Sequence, residues 1–261
     1  MQEWKELFPK KNIYFETKNG ILYNGNCLEI LDMFKDNLID SIITSPPYNI
    51  GIDYGTYKDN LSFEEYYKFI EELIIQFNRI LVDGGRFGIN HLYDTNKPKR
   101  HSPLMEIYQL IKKHSNFYTI IDLKEKQTHR VKFTAWGSWL SPNSPYIYNA
   151  KEGIIVGYKK HWKRNKKGKT DLIKEEFMEY VTAEWNYFPQ TKQLTKANFS
   201  EDIPYKWIKI NTFINDIVLD PFMGSGTTAV VAEKLNRKWI GVELNPKFCE
   251  VAKQRILKIT K

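Results

Sequence analysis

The stretch Ile217-Val218-Leu219-Asp220-Pro221-Phe222-Met223-Gly224-Ser225-Gly226-Thr227-Thr228 decides how the rest of the chain is read. Its β-branched start, Ile217 to Leu219, reads as a buried strand ended by Asp220. A Gly-rich turn then leads into a helical pattern from Thr227 to Leu235. A strand that turns tightly into a helix makes a ligand cradle. The first helical turn leaves backbone N–H groups free, and glycines let a ligand approach the main chain. Only residues 229–261 follow the turn, too few for a doubly wound sheet, so the other strands have to come from upstream.

Three readings of Gly224-Ser225-Gly226 compete. A phosphate loop needs Lys after its last glycine, and Thr227 stands there. Gly224-x-Gly226-x-x-Ala229 fits the dinucleotide fingerprint, with Glu243 near the spacing of a ribose-binding acid. The third reading is a site for S-adenosylmethionine, in which the same strand, turn and helix face an amino acid and a nucleoside. The string from Asp220 to Thr228 is similar to the cofactor motif of DNA amino-methyltransferases.

Upstream, Ile21 to Tyr23 reads as a short strand, Gly25-Asn26 as a turn, and Asn26 as the cap of a helix from Cys27 to Phe34. Asp40 to Thr44 is a second buried strand, which completes a parallel βαβ unit. It ends in Thr44-Ser45-Pro46-Pro47-Tyr48. Two prolines cannot continue a ladder, and a rigid loop at the carboxyl end of a parallel strand lies where open α/β sheets bind ligands. A stiff turn explains the prolines, but not the hydroxyl before them and the aromatic after them.

This second motif resembles the catalytic motif of the DNA amino-methyltransferases, which methylate the exocyclic nitrogen of cytosine or adenine. The catalytic motif precedes the cofactor motif, as in the β-class of that family. The resemblance therefore implies an α/β, doubly wound, Rossmann-like methyltransferase sheet, mostly parallel with an antiparallel hairpin strand. It also implies that the sheet is circularly permuted and carries an inserted target-recognition segment. Residues 1–124 would be the catalytic half, 125–196 the hairpin strand and recognition segment, and 197–261 the cofactor half of the same domain.

By the same resemblance Ser45, Pro46, Pro47 and Tyr48 are catalytic. Phe222, Gly224, Gly226, Thr227 and Thr228 would hold the methionine part of S-adenosyl-L-methionine, with Asp220 nearby. Glu243 would accept from the ribose hydroxyls, Asn26 and Cys27 would meet the adenine edge, and Phe199, Ser225 and Asn245 are further cofactor-binding positions. Ser before the prolines is commoner among cytosine-N4 enzymes and Asp among adenine-N6 enzymes, which favours cytosine N4. No metal is needed. A ring-carbon cytosine enzyme would need a thiolate in the catalytic loop, where Ser45 stands; Cys27 at a helix start is the other candidate thiol.

Between the motifs, residues 49–60 form a loop without periodicity, either a segment closing over DNA or cofactor or an ordinary surface loop. Ser62 to Glu65 is a capping box opening a helix to about Leu81, with Phe63, Phe69, Ile70, Leu73, Ile74 and Phe77 facing the core. Asp83-Gly84-Gly85 is expected to stop it before a strand from Arg86 to Asn90. A helix from Pro103 to His114 and strands over Tyr118 to Leu123 and Glu152 to Tyr158 follow, the last as the antiparallel hairpin partner. A helix over Pro204 to Thr212, a strand over Trp239 to Glu243 and a last helix with Cys249, Ala252, Ile256 and Ile259 on its apolar stripe end the chain.

Two middle stretches carry the expected nucleic-acid contacts. The run containing Lys159, Lys160, Lys163, Arg164, Lys166, Lys167 and Lys169 holds no acidic residue, so phosphate contact and a solvated turn compete. Residues 134–146 form an aromatic, proline-broken loop, and the stretch from Asp171 to Lys196, with Trp185, Tyr187, Phe188, Gln190, Lys192 and Gln193, suits base-edge reading or a small packed subdomain.

Composition bounds these readings. The 261 residues bury an ample core, and 42% hydrophobic and 15% aromatic content excludes a disordered chain. The net charge of +8 agrees with a polyanionic partner such as double-stranded DNA. Two cysteines without metal spacing argue against zinc and a disulfide framework. With neither a signal pattern nor a membrane-length run, a cytoplasmic place is expected. A companion restriction endonuclease is the partner a restriction–modification pair would imply; monomer or homodimer is left open. Two readings from other classes remain, a nicotinamide-dependent oxidoreductase and a non-catalytic nucleic-acid-binding module; an RNA or protein methyltransferase is the nearest rival, and the basic run and recognition-like segment favour DNA over it.

Overall fold

Strands β1 (Ile13–Glu16), β2 (Gly20–Asn24), β3 (Ile39–Thr44), β4 (Leu81–Leu92), β5 (Asn116–Glu125), β6 (Glu152–Tyr158), β7 (Glu184–Tyr187), β8 (Ile217–Asp220) and β9 (Lys238–Glu243) form one mixed sheet, in the order β1-β2-β9-β8-β3-β4-β6-β5-β7. This computed structural model describes residues 3–57, 59–95, 101–125, 141–145, 149, 151–188 and 200–260. Five neighbours, β2, β9, β8, β3 and β4, run parallel, and β6 lies antiparallel between β4 and β5. Both strands of the C-terminal motif, β8 and β9, are seated between β2 and β3, so the sheet that the last residues begin is completed by the first.

Helices cover both faces. On one side α1 (Cys27–Asp32), α2 (Phe63–Ile80) and α3 (Pro103–His114) pack with Ile21, Tyr23, Ile42, Leu219, Ile240 and Val242. On the other, α5 (Asp202–Asn211), α6 (Thr227–Lys234) and α7 (Pro246–Thr260) pack with Leu22, Ile43, Val218 and Trp239. Consecutive strand residues part to opposite faces, and because both faces are dry the parallel strands read as unbroken apolar runs. Among the described residues no helix is long and apolar enough to cross a membrane.

The expected capping box is present. Ser62 accepts from the Glu65 N–H, and the Glu65 carboxylate accepts from the Ser62 N–H at 3.0 Å. Ile70, Leu73, Ile74 and Phe77 are buried, but Phe63 is exposed and stacks on His101, while Tyr66 takes the inward place. The helix stops at Ile80 rather than at the glycines. Leu81–Leu92 is one strand, with Gly84 as a left-handed kink (φ +77°) inside it. Ile259 on α7 is likewise exposed, because the stripe of Cys249, Ala252 and Ile256 runs off the core at its last turn.

Two strands were not foreseen. β1 pairs antiparallel with β2 at one edge, and β7 pairs parallel with β5 at the other. Residues Lys174–Tyr180, α4, and β7 occupy part of the stretch expected to read bases. Trp185 is buried there, donating Nε1–H to the Tyr180 carbonyl at 2.9 Å, so this ring belongs to packing and not to a DNA surface. Stretch 134–139, Tyr146, Gln190, Lys192, Gln193 and Phe199 lie outside the described residues.

The fold gives part of the basic run partners within the chain. Lys159 is buried, and its three ammonium donors go to Asn37 Oδ1, the Arg79 carbonyl and the Leu81 carbonyl at 2.7, 3.0 and 2.8 Å. Arg164 is buried between Asp40 (2.5 Å) and Asp216 (2.8 Å), and Lys166 pairs with the same two carboxylates. Lys160 pairs with Asp83. Lys163, Lys167 and Lys169 are exposed on the same segment. Asp40 and Asp216 stand at the amino ends of β3 and β8, whereas Ser45 and Asp220 stand at their carboxyl ends, about 13–17 Å away at strand rise. Lys160, Arg164 and Lys166 thus neutralise acids at the far end of the sheet.

By contrast, β5 ends, β6 begins and β7 ends at the carboxyl side of the parallel strands. The connections from β5 to β6 and from β7 to α5 therefore leave and return at the same side as the two Gly- and Pro-rich loops.

Candidate active site

A cavity of about 400 Å³ opens at that carboxyl side. The Pro loop supplies Ser45, Pro46, Pro47 and Tyr48; the Gly-rich turn supplies Asp220, Phe222, Gly224, Ser225 and Thr227. Asn26, Cys27 and Glu243 close the side nearest β2 and β9. The two motifs, far apart in sequence, thus share one cleft.

Three of the expected cofactor residues stand behind the wall. Gly226 is the N-cap of α6 in the left-handed region (φ +83°), where a Cβ would meet Ala252 at 2.8 Å. Thr228 donates to Asp220 Oδ2 at 2.6 Å. Asn245 gives its N–H to Glu243 Oε1 at 2.8 Å and its amide to the Tyr54 carbonyl at 2.9 Å.

That second bond ties residues 49–60 into the site. Asp59 accepts the N–H groups of Asn49, Ile50 and Ile52, folding the loop so that Ile50, Ile52, Tyr54 and Tyr57 face the cavity. It is a wall of the site rather than an ordinary surface loop.

The cradle is open where a ligand would need it. Gly224 has φ +52°, and a Cβ there would meet only the Phe222 carbonyl at 3.9 Å. Glu243 reaches across the turn to accept the Gly224 N–H at 2.8 Å, and burial raises the pKa of its carboxyl. Asp220 accepts Thr44 and Thr228 hydroxyls and the Phe222 N–H, and is likewise raised by burial. Among the described residues lining the cavity none is Lys or Arg, while Asp220, Glu243 and Glu152 are acidic. A pyrophosphate would face carboxylates here, whereas a cationic ligand with ribose hydroxyls finds acceptors. The donor set fits S-adenosylmethionine and not a dinucleotide.

Around Ser45 lie polar partners that motif reading missed. Ser45 Oγ donates to Tyr48 Oη at 2.9 Å, and Tyr48 Oη donates to Glu152 Oε2 at 3.1 Å. Asn90 Nδ2 donates to both Tyr48 Oη and Glu152 Oε2 at 2.8 Å. His91 packs against Tyr48 with ring centroids 4.5 Å apart and planes tilted by 36°. Its Nδ1 accepts the Leu92 N–H, so Nε2 carries the proton and donates to Tyr66 Oη, which in turn donates to the Pro47 carbonyl at 2.8 Å. Burial lowers His91 to about 3 and keeps it neutral. The Pro loop is thus pinned from behind, its Ser45 and Pro46 facing the cavity. Tyr66, Asn90, His91 and Glu152 come from α2, β4 and β6, and only the sheet pairing brings them together; a buried His beside Asn at a strand's carboxyl end was the one available signal.

Cys27 is no nucleophile. Burial pushes its thiol up to about 12, so the helix start does not yield a thiolate.

Comparison with known proteins agrees with this geometry. A family model described as DNA methylase, of the N6 and N4 group, matches residues 39–254. The type II methyltransferase M.MjaVI of Methanocaldococcus jannaschii is 34% identical over 177 residues, covering 67% of this chain and 89% of that protein. A crystal structure described as a DNA modification methylase from Thermus thermophilus, complexed with S-adenosyl-L-methionine, superposes with a TM-score of 0.72 at 26% identity, covering 91% of this chain and 93% of that one. The PvuII cytosine-N4-specific DNA methyltransferase shares the fold, with a TM-score of 0.73 at 22% identity over 94% and 89% of the two chains.

Proposed function

The chain belongs to the DNA methylase family of N6 and N4 enzymes, and from that premise we propose that it methylates the N4 amine of a cytosine flipped out of duplex DNA. The observation that carries the reading is the shared cleft of Ser45 and Gly224, with carboxylates and, among the described residues, no cation on its wall. Ser45 before the prolines supports cytosine, because that residue is commoner there among cytosine-N4 enzymes of the family; the adenine N6 amine is the second reading.

S-adenosyl-L-methionine is the cofactor, and when bound it supplies an activated methyl sulfonium. Phe222, Gly224, Ser225 and Thr227 would hold its amino-acid part and Glu243 its ribose hydroxyls. Asn26 and Cys27 would meet the adenine edge. On the substrate side the difficulty is the amine itself, whose lone pair is delocalised into the ring. Ser45 Oγ and the Pro46 carbonyl accept its hydrogens, which draws the nitrogen towards tetrahedral geometry and frees the lone pair. Tyr48 offers a flat face to the extruded base, offsetting the few kcal/mol that flipping costs. Fixing amine and methyl in line, away from water, is the remaining contribution of the chain.

We read the sheet as the circularly permuted arrangement of the β-class, and assign target recognition to the connections from β5 to β6 and from β7 to α5. A companion endonuclease belongs to the same reading.

The test incubates the protein and S-adenosyl-L-methionine with unmethylated genomic DNA from a methylation-deficient host, then identifies nucleosides by mass spectrometry. N4-methylcytosine is expected. N6-methyladenine would select the second reading, and no methylated base would remove both.

A further inference from the structure

The hydroxyl chain beside the cavity has a direction. Ser45 Oγ gives its proton to Tyr48 Oη, which also accepts from Asn90 and passes its own proton to Glu152 Oε2. A hydroxyl whose proton is committed outward presents only lone pairs on its other side. Ser45 therefore faces the cavity as an acceptor, and it does so because the chain ends on a carboxylate. Asn90 Oδ1 adds to this face: Asn90 is 2% exposed and lines the cavity, and this oxygen has no partner among the described residues. The result is a wall of acceptors turned towards a group with two N–H donors. An exocyclic amine matches it, and a ring carbonyl does not.

The same chain leads away from the reacting nitrogen. On the reading given above, the amine lone pair forms the new N–C bond while the C–S bond breaks and its electron pair stays on sulfur. The nitrogen then carries a positive charge and one hydrogen too many. We propose that Glu152 orients the Ser45–Tyr48 hydroxyls as acceptors and takes up, through them, the proton that the methylated amine releases. Ser45 Oγ accepts the amine hydrogen as its own passes to Tyr48, and the Tyr48 proton passes to Glu152, which ends as the neutral acid and returns its proton to water. Glu152 is a positioning residue, acting through Tyr48 and Ser45. Among the described residues, the other titratable groups facing the chain, Tyr66 on α2 and His91 on β4, are both held neutral by burial, so the charge in this row falls to the Glu152 carboxylate.

The inference rests on amine methylation, so the wild-type protein is run first with S-adenosyl-L-methionine and unmethylated genomic DNA. Failure of that arm removes the functional reading itself. With the wild type active, Glu152→Gln and Tyr48→Phe are each expected to slow single-turnover methyl transfer by about 10²-fold, as loss of a proton acceptor does. Affinity for S-adenosylhomocysteine should be unchanged. The double variant should be no slower than the slower single one, because both remove the same path. Glu152→Ala should regain rate with added formate but not with chloride at equal ionic strength. A Glu152→Gln protein as fast as wild type, additive losses in the double variant, or no response to formate would each overturn the proposal.

Discussion

Thr44 donates its hydroxyl to Asp220 Oδ1 at 2.7 Å, so the residue before Ser45 and the last residue of β8 share a buried hydrogen bond. β3 and β8 are parallel neighbours, and this bond locks the relative height of the two loops that leave them. Asp220→Ala would strand the Thr44 and Thr228 hydroxyls and the Phe222 N–H, at about 1–3 kcal/mol for each buried group left unpaired. Cofactor affinity and methyl-transfer rate are expected to fall together, and to fall less in Asp220→Asn. Calorimetry with S-adenosylhomocysteine and a rate assay check it; a loss in only one of the two would contradict the coupling.

Ser45 and Glu243 divide the work differently. Ser45→Ala should lower the single-turnover rate about 10- to 100-fold, the worth of a hydrogen bond made to a developing charge, with S-adenosylhomocysteine binding kept. Glu243→Ala should weaken that binding by a similar factor before any effect on chemistry is seen. Equal losses of affinity in the two variants would sink this division.

The basic run makes a stability prediction rather than a DNA one. Arg164→Ala leaves Asp40 and Asp216 facing each other with only Lys166 between them, and should cost about 3–5 kcal/mol in denaturant unfolding. Replacing Lys163, Lys167 and Lys169 together by Ala should leave stability and DNA affinity near wild type. A clear drop in DNA affinity in the triple variant would return the run to the interface.

Both thiols should be inert in the folded protein. Burial pushes Cys27 and Cys249 up to about 12, so at pH 8 little thiolate is present and access is closed. A disulfide-exchange reagent is expected to titrate neither until denaturant is added; rapid labelling of Cys27 in the native protein would show otherwise.

His91 makes the fold acid-sensitive. Its folded value is lowered to about 3 against an ordinary value near 6.5, so the unfolded chain binds the proton more readily. The stability it contributes is complete above about pH 6.5 and is lost as pH falls towards 3, at up to about 1.4 kcal/mol per pH unit. His91→Gln should flatten the dependence of Tm on pH in that window; an unchanged slope would mean that other groups carry it.

Much of this was legible because local chemistry dictated it. The Asn26 cap, the Ser62–Glu65 box, the strand–turn–helix at Gly224 and the rigid Pro46-Pro47 loop depend on neighbours in sequence, and each formed as its residues imply. What escaped depended on partners far away. The cations at 159–166 looked unpaired only because Asp40, Asp83 and Asp216 lie more than fifty positions off. Trp185 looked like a surface reader because its partners, on β5 and α5, are known only once β7 is seen to join the sheet. Glu152 opens a strand whose pairing with β4 alone sets it beside Tyr48.

The connections after β5 and β7 both depart from the carboxyl edge of the sheet and rejoin it there, while Ser45, Asn90, Glu152, Gly224 and Glu243, to which the proposed function gives the amine and the cofactor, are anchored in β3, β4, β6, β8 and β9 or the turns they end in. If those connections read the target, as proposed above, swapping either one for another would rewrite the address at which the enzyme stops without retuning its chemistry. One catalytic chassis could then be fitted with many reading heads, and a change of preferred sequence would need no change at Ser45 or Gly224.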